Sequence, residues 1–184
     1  MRPYYSAALL LFALIAPLRV VAQHDHQHHE VPSIPSSLQI EHEQIHQELS
    51  ALLKLSGKTG DAAREVAEAL HEHFAAEEEF AMPPLGALQD LANGVDLKEA
   101  KGLLKLTETL ELRMPEMLRE HNVIKMKIDA LRAAGKQEVQ PAAIAFADKL
   151  QLHAQNEEQI LYPSAIVIGK YLKLLASSRK THIK

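Results

Sequence analysis

The chain has 184 residues, of which 47% are apolar but only 4% aromatic, and its formal net charge is −4. This length suits one domain with its own core. There is no cysteine, which excludes disulfides, iron–sulfur clusters and thiolate zinc sites. Acidic and basic residues are interspersed without a basic stripe, which argues against a nucleic-acid partner. Sparse glycine with abundant Ala, Leu, Glu and Lys predicts an all-α fold.

The first 22 residues predict an export signal. Arg2 supplies a positive start, residues 7–16 form an apolar run, and Val20 and Ala22 are small residues before a cleavage point at Gln23. The apolar run is about half the length that spans a bilayer as a helix. We therefore expect cleavage, no stable membrane insertion, and an exported chain that is periplasmic or secreted. An uncleaved anchor or a membrane-lying start is the competing interpretation.

Residues 23–36 predict a disordered linker that is rich in histidine. Four histidines lie between His24 and His29, and Pro and Ser follow them. Such a tract can also capture divalent metal ions, so metal scavenging is the alternative to a plain polar tether. At the other end of the chain, residues 177–184 predict a short basic tail that is frayed and solvated.

Residues 37–176 predict one domain of four long helices and a shorter fifth helix. Each long helix has an apolar stripe at helical spacing, and most connections are short, which predicts an up-down-up-down four-helix bundle with a short extra C-terminal helix. Pro115 is expected to kink or split the third helix, and Pro163 to interrupt the fourth. The predicted helices cover residues 36–56, 61–81, 96–134, 141–162 and 164–176.

The two halves of the chain repeat one order of metal-binding residues. Each half has a Glu-His pair, a His-x-x-x-Glu-Glu segment 31 or 32 residues later, and a proline six residues after the first Glu of that segment. The first copy consists of Glu41, His42, His73, Glu77, Glu78 and Pro83, and the second of Glu120, His121, His153, Glu157, Glu158 and Pro163.

Six of these residues fall within about 40° of the centres of the predicted inward stripes. One histidine on such a stripe would be most simply a hydrogen-bonded core residue. Four histidines and two carboxylates among Leu and Ile are costly to bury without compensation, and a pair of metal ions provides it. Imidazole with carboxylate suits iron, manganese and zinc. The candidate ligands are His42, His73, Glu77, His121, His153 and Glu157.

With these residues in this order, the segment 37–165 resembles the hemerythrin-like (HHE cation-binding) family, whose hallmark is His, then His-x-x-x-Glu, then both again. The resemblance implies a four-helix bundle with a non-haem di-iron centre, bridged by Glu77 and Glu157 and capped by the four histidines. Ferritin-like bundles are disfavoured because their paired ligands are spaced Glu-x-x-His.

The chain departs from the oxygen-carrying members of that family at one position. Those proteins have a further His one turn after the single His of the third helix, where this chain has Lys125. His46 lies one turn after His42, at the corresponding place in the first helix, and is a candidate seventh ligand or a solvated side chain. Glu78 and Glu158 are expected to be hydrogen-bond partners of the ligands or surface groups. Tyr162 is expected to donate to the site or to pack beside it.

The resemblance predicts a protein that binds two iron ions, or manganese or zinc, and through them a small diatomic molecule such as O2 or NO. A periplasmic module for metal storage, sensing or delivery is the alternative that the histidine-rich linker suggests. A di-iron redox enzyme that handles peroxide or NO is a further alternative, ranked lower because the sequence has no evident electron-donor site. A purely structural bundle is the simplest competing hypothesis. The oligomeric state is not indicated.

Overall fold

A computed structural model describes residues 32–95, 97 and 100–182 of the chain. Most of these residues are helical, and no strand occurs among them. The prediction of an all-α fold is therefore confirmed. The predicted export signal, the linker up to residue 31, most of the predicted capping box at 96–99 and the last two residues of the basic tail lie outside the described residues.

Six α-helices account for most of the described chain. The helices are α1 (Ser36–Leu52), α2 (Gly57–Ala76), α3 (Leu88–Ala92), α4 (Lys101–Gln137), α5 (Pro141–Asn156) and α6 (Tyr162–His182). We call the four that carry candidate ligands, or lead into them, the four long helices of the bundle; they are α1, α2, α4 and α5. Pro83–Ala87 forms a 3-10 helix before the short α3, in a stretch for which the sequence predicted only a loop.

The apolar core consists of two clusters that lie on either side of the candidate ligands along each long helix. The first cluster includes Ile45 and Leu49 of α1 and Ile128 of α4, and the second includes Leu110 of α4 and Ile168 of α6. Helix α1 packs against α2 and α5, and α4 packs against α2, α5 and α6. The candidate ligands therefore occupy a buried polar layer between two apolar layers.

Helices α2 and α5 each end in one π-helical turn, which the sequence analysis did not predict. The turns span Glu77–Ala81 and Glu157–Leu161. The Met82 N–H donates to the Glu77 carbonyl at 2.9 Å, and the Tyr162 N–H donates to the Glu157 carbonyl in the same way. A hydrogen bond to the fifth residue back widens the turn by one residue, and such turns are frequent at functional sites.

The second π-turn corrects two details of the predicted fourth helix. Regular helical spacing after His153 and Glu157 predicts Ile160 on the inward stripe, but Ile160 is 56% exposed, whereas Tyr162 is 2% exposed. The extra residue in the turn shifts the inward face of the helix. Pro163 does not interrupt the helix, because it lies in the first turn of α6, where an N–H is not needed by the helix.

Helix α4 passes through Pro115 without splitting and ends at Gln137. Pro115 is exposed, so the carbonyl that it leaves without an intrahelical partner is on the solvent side. At the other end of the domain, α6 continues to His182, six residues beyond the predicted end of the last helix.

One continuous helical stretch of the described chain, residues 141–178, is long and apolar enough to cross a membrane by length and composition alone. The core helix of a bundle can pass the same test. Its α5 portion carries His153, which is buried in the bundle. Its α6 portion leaves Val167, Tyr171 and Leu174 exposed.

Gly169 allows α6 to approach α4 closely. A Cβ atom at this position would lie 2.2 Å from Oγ1 and 2.6 Å from Cβ of Thr107. Both Gly169 and Thr107 are buried, so neither helix can move without disturbing the core. We expect Gly169→Ala to lower the free energy of unfolding by about 1–3 kcal/mol, the usual cost of overpacking, measured by urea denaturation.

Val167→Ala is the matched control on the same helix. Val167 is 61% exposed, so its truncation should change stability by no more than about 0.5 kcal/mol. Equal stability of Gly169→Ala and the wild type would show that α4 and α6 are not packed this closely.

Candidate metal centre

The structure brings all six candidate ligands together in the polar layer between α1, α2, α4 and α5. All six are at least 97% buried. Their donor atoms form two sets of four, and within each set the atoms lie within 4.8 Å of one another. We call these sets the His42–His153 site and the His73–His121 site. Both sites include Glu77 and Glu157.

Each shared carboxylate directs one oxygen toward each site. Glu77 Oε2 lies 3.6 Å from His42 Nε2, and Glu77 Oε1 lies 3.5 Å from His73 Nε2. Glu157 Oε1 lies 2.8 Å from His153 Nε2, and Glu157 Oε2 lies 3.4 Å from His121 Nε2. This is the arrangement that two cations bridged by two carboxylates require.

Unpartnered atoms at the His42–His153 site show that the residues fit a cation. Its donor atoms are His42 Nε2, His153 Nε2, Glu77 Oε2 and Glu157 Oε1, and all four are buried without a hydrogen-bond partner among the described residues. His153 Nε2 and Glu157 Oε1 are 2.8 Å apart but lack the alignment of a hydrogen bond. Buried polar groups are costly without partners, and a metal ion would satisfy all four.

Every one of the four histidines contacts a second carboxylate through Nδ1. The partner always lies on a neighbouring helix of the bundle or on the π-turn that continues it. The contacts are His42 with Glu78 at 3.1 Å, His73 with Glu120 at 2.8 Å, His121 with Glu158 at 2.8 Å and His153 with Glu41 at 3.1 Å.

These contacts explain the repeated Glu-His and Glu-Glu pairs of the sequence. In each pair, one residue faces the centre and its neighbour reaches the histidine of an adjacent helix, so the four contacts close a ring around the bundle. A histidine whose Nδ1–H donates to a carboxylate presents the Nε2 lone pair inward, which is the form that binds metal. The contact of His153 with Glu41 is at hydrogen-bond distance but less well directed.

Glu77 and Glu157 have opposite pKa shifts because they share one buried site. Burial and the negative charge of Glu157 raise the pKa of Glu77. Burial opposes ionisation of Glu157 as well, but His121, His153 and His42 outweigh it and hold its pKa well below the usual range. Two carboxylates this close cannot both ionise without a compensating positive charge.

In the absence of metal, the pKa values of His42, His73 and His153 are raised. Burial lowers the pKa of His73, but the adjacent Glu77 carboxylate outweighs this effect and raises that pKa to about 9. Glu157 has the same effect on His153, whose pKa also rises to about 9, and it raises the pKa of His42 despite burial. Protons thus supply part of the positive charge that the two carboxylates need.

Tyr162 and Lys125 both act on the His73–His121 site. The Tyr162 hydroxyl donates to Glu77 Oε1 and lies 3.1 Å from His121 Nε2. Burial and the charges of Glu77 and Glu157 raise the pKa of Tyr162, which keeps the phenol protonated.

The Lys125 ammonium donates to both oxygens of Glu158, at 2.7 and 2.9 Å. Together with His121, it holds the pKa of Glu158 low against the effect of burial.

His46 joins neither site. It is exposed and packs edge-on against Phe74, with the ring centroids 5.3 Å apart. The structure does not test whether His46 binds metal, and its role as a seventh ligand stays a prediction. Sequence reasoning assigned no role to Glu41 and Glu120, although both belong to the repeated pattern. That repetition was the signal from which their contacts with histidines could have been inferred.

Comparison with protein families agrees with this geometry. The model of the hemerythrin HHE cation-binding domain matches residues 33–165, most of the chain. This chain belongs to the hemerythrin HHE cation-binding family. No curated protein and no solved structure gave a significant match. The matched range includes all six candidate ligands of the hemerythrin-like centre and all four carboxylates that contact its histidines.

Removing one of those carboxylates tests the ring of contacts. We expect Glu78→Ala to weaken metal binding by about 10- to 100-fold, because the carboxylate that orients His42 and increases its basicity is lost. Isothermal titration of the metal-depleted protein measures the effect. Glu79→Ala is the matched control, since Glu79 is the next residue and is exposed. Equal losses in the two variants would contradict an orienting role of Glu78.

The raised pKa values predict how stability depends on pH without metal. The protonated forms of His73 and His153 stabilise the fold fully below the ordinary value of 6.5, and this contribution is lost as the pH rises through about 9. We therefore expect the free energy of unfolding of the chelator-treated protein to fall between pH 6.5 and 9, in a series of urea titrations.

The metal-loaded protein should not lose stability over this pH range, because a bound metal takes the place of the protons. His71→Ala, which removes an exposed histidine of the same helix, should leave the pH profile of the metal-free protein unchanged. A flat profile of the metal-free wild type would show that His73 and His153 are already neutral at pH 6.5.

Proposed function

We propose that this protein is an exported non-haem di-iron protein that binds a small diatomic molecule, O2 or NO. The supporting observation is that two sets of buried donor atoms share both Glu77 and Glu157. We assign His42 and His153 as ligands of one ion, His73 and His121 as ligands of the other, and the two carboxylates as bridges between them.

The donor set is compatible with iron, and the resemblance to hemerythrin-like proteins is the reason for proposing iron rather than another cation. Each ion receives two imidazole nitrogens and two carboxylate oxygens, a mixture that suits iron, manganese and zinc. Four protein donors leave open coordination positions on an ion that prefers six ligands. Ferrous iron held there would supply an open coordination position for O2 or NO and, for O2, the electrons that it takes up.

We propose binding of a diatomic molecule without specifying reversible carriage of oxygen. The oxygen-carrying members of the family have a further histidine at the position that Lys125 occupies in this chain. The Lys125 ammonium is engaged by Glu158, and an ammonium has no lone pair to offer a metal. The position therefore supplies charge to a carboxylate that contacts His121. Metal storage or delivery, and turnover of peroxide or NO, are the alternatives that the experiment below separates.

We also propose that the four long helices alternate in direction and that α6 serves as the extra C-terminal helix. The distribution of the two apolar clusters supports the alternation. The first cluster follows the ligand of α1 and α4 in sequence but precedes the ligands of α2 and α5. Export to the periplasm or the medium is proposed from the first 22 residues of the sequence.

Anaerobic purification with metal analysis and optical spectroscopy tests this function. We expect two iron ions per chain, and an ultraviolet–visible spectrum that changes on admission of O2 or NO. Reversal under vacuum would support carriage of O2, and rapid consumption of peroxide or NO would favour the enzyme. Full occupancy by zinc with no iron would overturn the di-iron proposal, and no bound metal would overturn metal binding altogether.

Two histidines of α2 provide matched variants for the same experiment. His73→Ala should lower the iron content, because it removes a buried candidate ligand. His71→Ala, two residues earlier and exposed, should keep two ions per chain and the spectral response. Equal iron content in both variants would contradict the assignment of His73 as a ligand.

A further inference from the structure

The two candidate metal sites differ in how far their donor atoms are already paired. At the His42–His153 site, all four donor atoms lack a hydrogen-bond partner among the described residues. At the His73–His121 site, three of the four donor atoms are engaged. His73 Nε2 and His121 Nε2 lie 2.8 Å apart in contact with each other, and Glu77 Oε1 accepts a hydrogen bond from Tyr162.

The internal repeat shows that part of this difference, the hydrogen bond to Glu77, comes from one side chain. Tyr162 lies five residues after Glu157, and the residue five after Glu77 is Met82. Both side chains are buried at the end of a π-turn. Only Tyr162 has a hydroxyl to donate, and it donates to the oxygen of Glu77 that faces the His73–His121 site.

We propose that the two metal positions have different affinities and fill in order, the His42–His153 site first, with Tyr162 as the residue that weakens the second position. This inference rests on the metal binding proposed above. Tyr162 acts as a positioning residue in this scheme, since it holds a bridging carboxylate rather than an ion.

The two positions are expected to differ in affinity because an ion must replace different interactions at each of them. An ion entering the His42–His153 site meets four buried donor atoms that make no hydrogen bond among the described residues, so it replaces only His–Glu ion-pair contacts at 2.8 to 3.8 Å. An ion entering the His73–His121 site must replace the hydrogen-bond contact between the two ring nitrogens and compete with the hydrogen bond from Tyr162 to Glu77 Oε1. A hydrogen bond to a charged group is among the stronger ones in proteins, so the second binding step is weaker.

Access from solvent affects how fast each site fills rather than its affinity, and it favours the same order. A surface pocket of about 410 Å³ is lined by His42, His46 and Glu78, together with Ile34, Gln39 and Glu43. It adjoins the His42–His153 site through the His42 ring. Glu78, which contacts His42 at 3.1 Å, is half exposed at this opening. A cation can therefore approach the first site past carboxylates and imidazoles.

Titration of the metal-depleted protein with Co²⁺, followed by visible absorption and calorimetry, tests the order. We expect two binding steps whose dissociation constants differ by about tenfold or more, since one such hydrogen bond corresponds to at least that ratio. His121→Ala should retain the tight step. His42→Ala should retain only the weak step. The histidine-rich linker is common to all variants, so differences between them report on the two sites.

Tyr162→Phe isolates the role of the hydroxyl. We expect it to strengthen the weak step about tenfold and to leave the tight step unchanged, which narrows the gap between the steps. Met82→Leu, at the corresponding place in the first half, should change neither step. Circular dichroism of each variant shows that the bundle is retained.

Three results would overturn the inference. Two steps of equal affinity in the wild type would show that the sites are equivalent. A weaker second step in Tyr162→Phe would show that the hydroxyl is a ligand of the second ion and not a competitor for Glu77. Loss of the tight step in His121→Ala would reverse the order. Failure of the wild type to bind Co²⁺ at all would instead overturn the proposed metal binding itself.

Discussion

The burial of two carboxylates and four imidazoles in one layer of an apolar bundle is the constraint on which the rest of the structure depends. Glu77 and Glu157 are fully or almost fully buried, and such groups cannot remain ionised among Leu and Ile without positive charge beside them. Protonated histidines provide part of this charge in the free protein, and cations can provide all of it. The metal centre is thus a solution to an electrostatic problem that the sequence itself creates.

The ring of carboxylates around the histidines extends this solution outward. Each histidine that faces inward through Nε2 needs a partner for Nδ1, and the residue beside a ligand on the adjacent helix provides it. The ring also gives the bundle a polar contact between each pair of neighbouring long helices. Lys125 adds one positive charge at Glu158 alone, so the surroundings of the two sites are unequal although the ligands repeat.

How much could be predicted from sequence depended on whether a feature lies within one helix or between helices. The shared face of the candidate ligands was predictable, since residues one turn apart, such as His73 and Glu77, lie on one side of a helix. The π-turns were not, because a change from the i+4 to the i+5 hydrogen bond leaves no mark in the apolar pattern until Ile160 turns outward and Tyr162 inward. The repeated pattern could have indicated that Glu41 and Glu120 contact histidines, but which histidine each one contacts depends on how the helices are arranged, which periodicity does not give.

The division of the ligands between the two halves of the chain has a consequence for how such a protein could arise. Each site takes one histidine and one bridging carboxylate from residues 42–77 and the other two ligands from residues 121–157. One half therefore holds no complete site, whereas two associated copies of a single half would hold two. A helical hairpin of half this length would gain its function only as a dimer, and gene duplication with fusion would then join the two copies into one chain. Unequal residues such as Tyr162 and Met82 could diverge only after that fusion, when the two halves were free to differ.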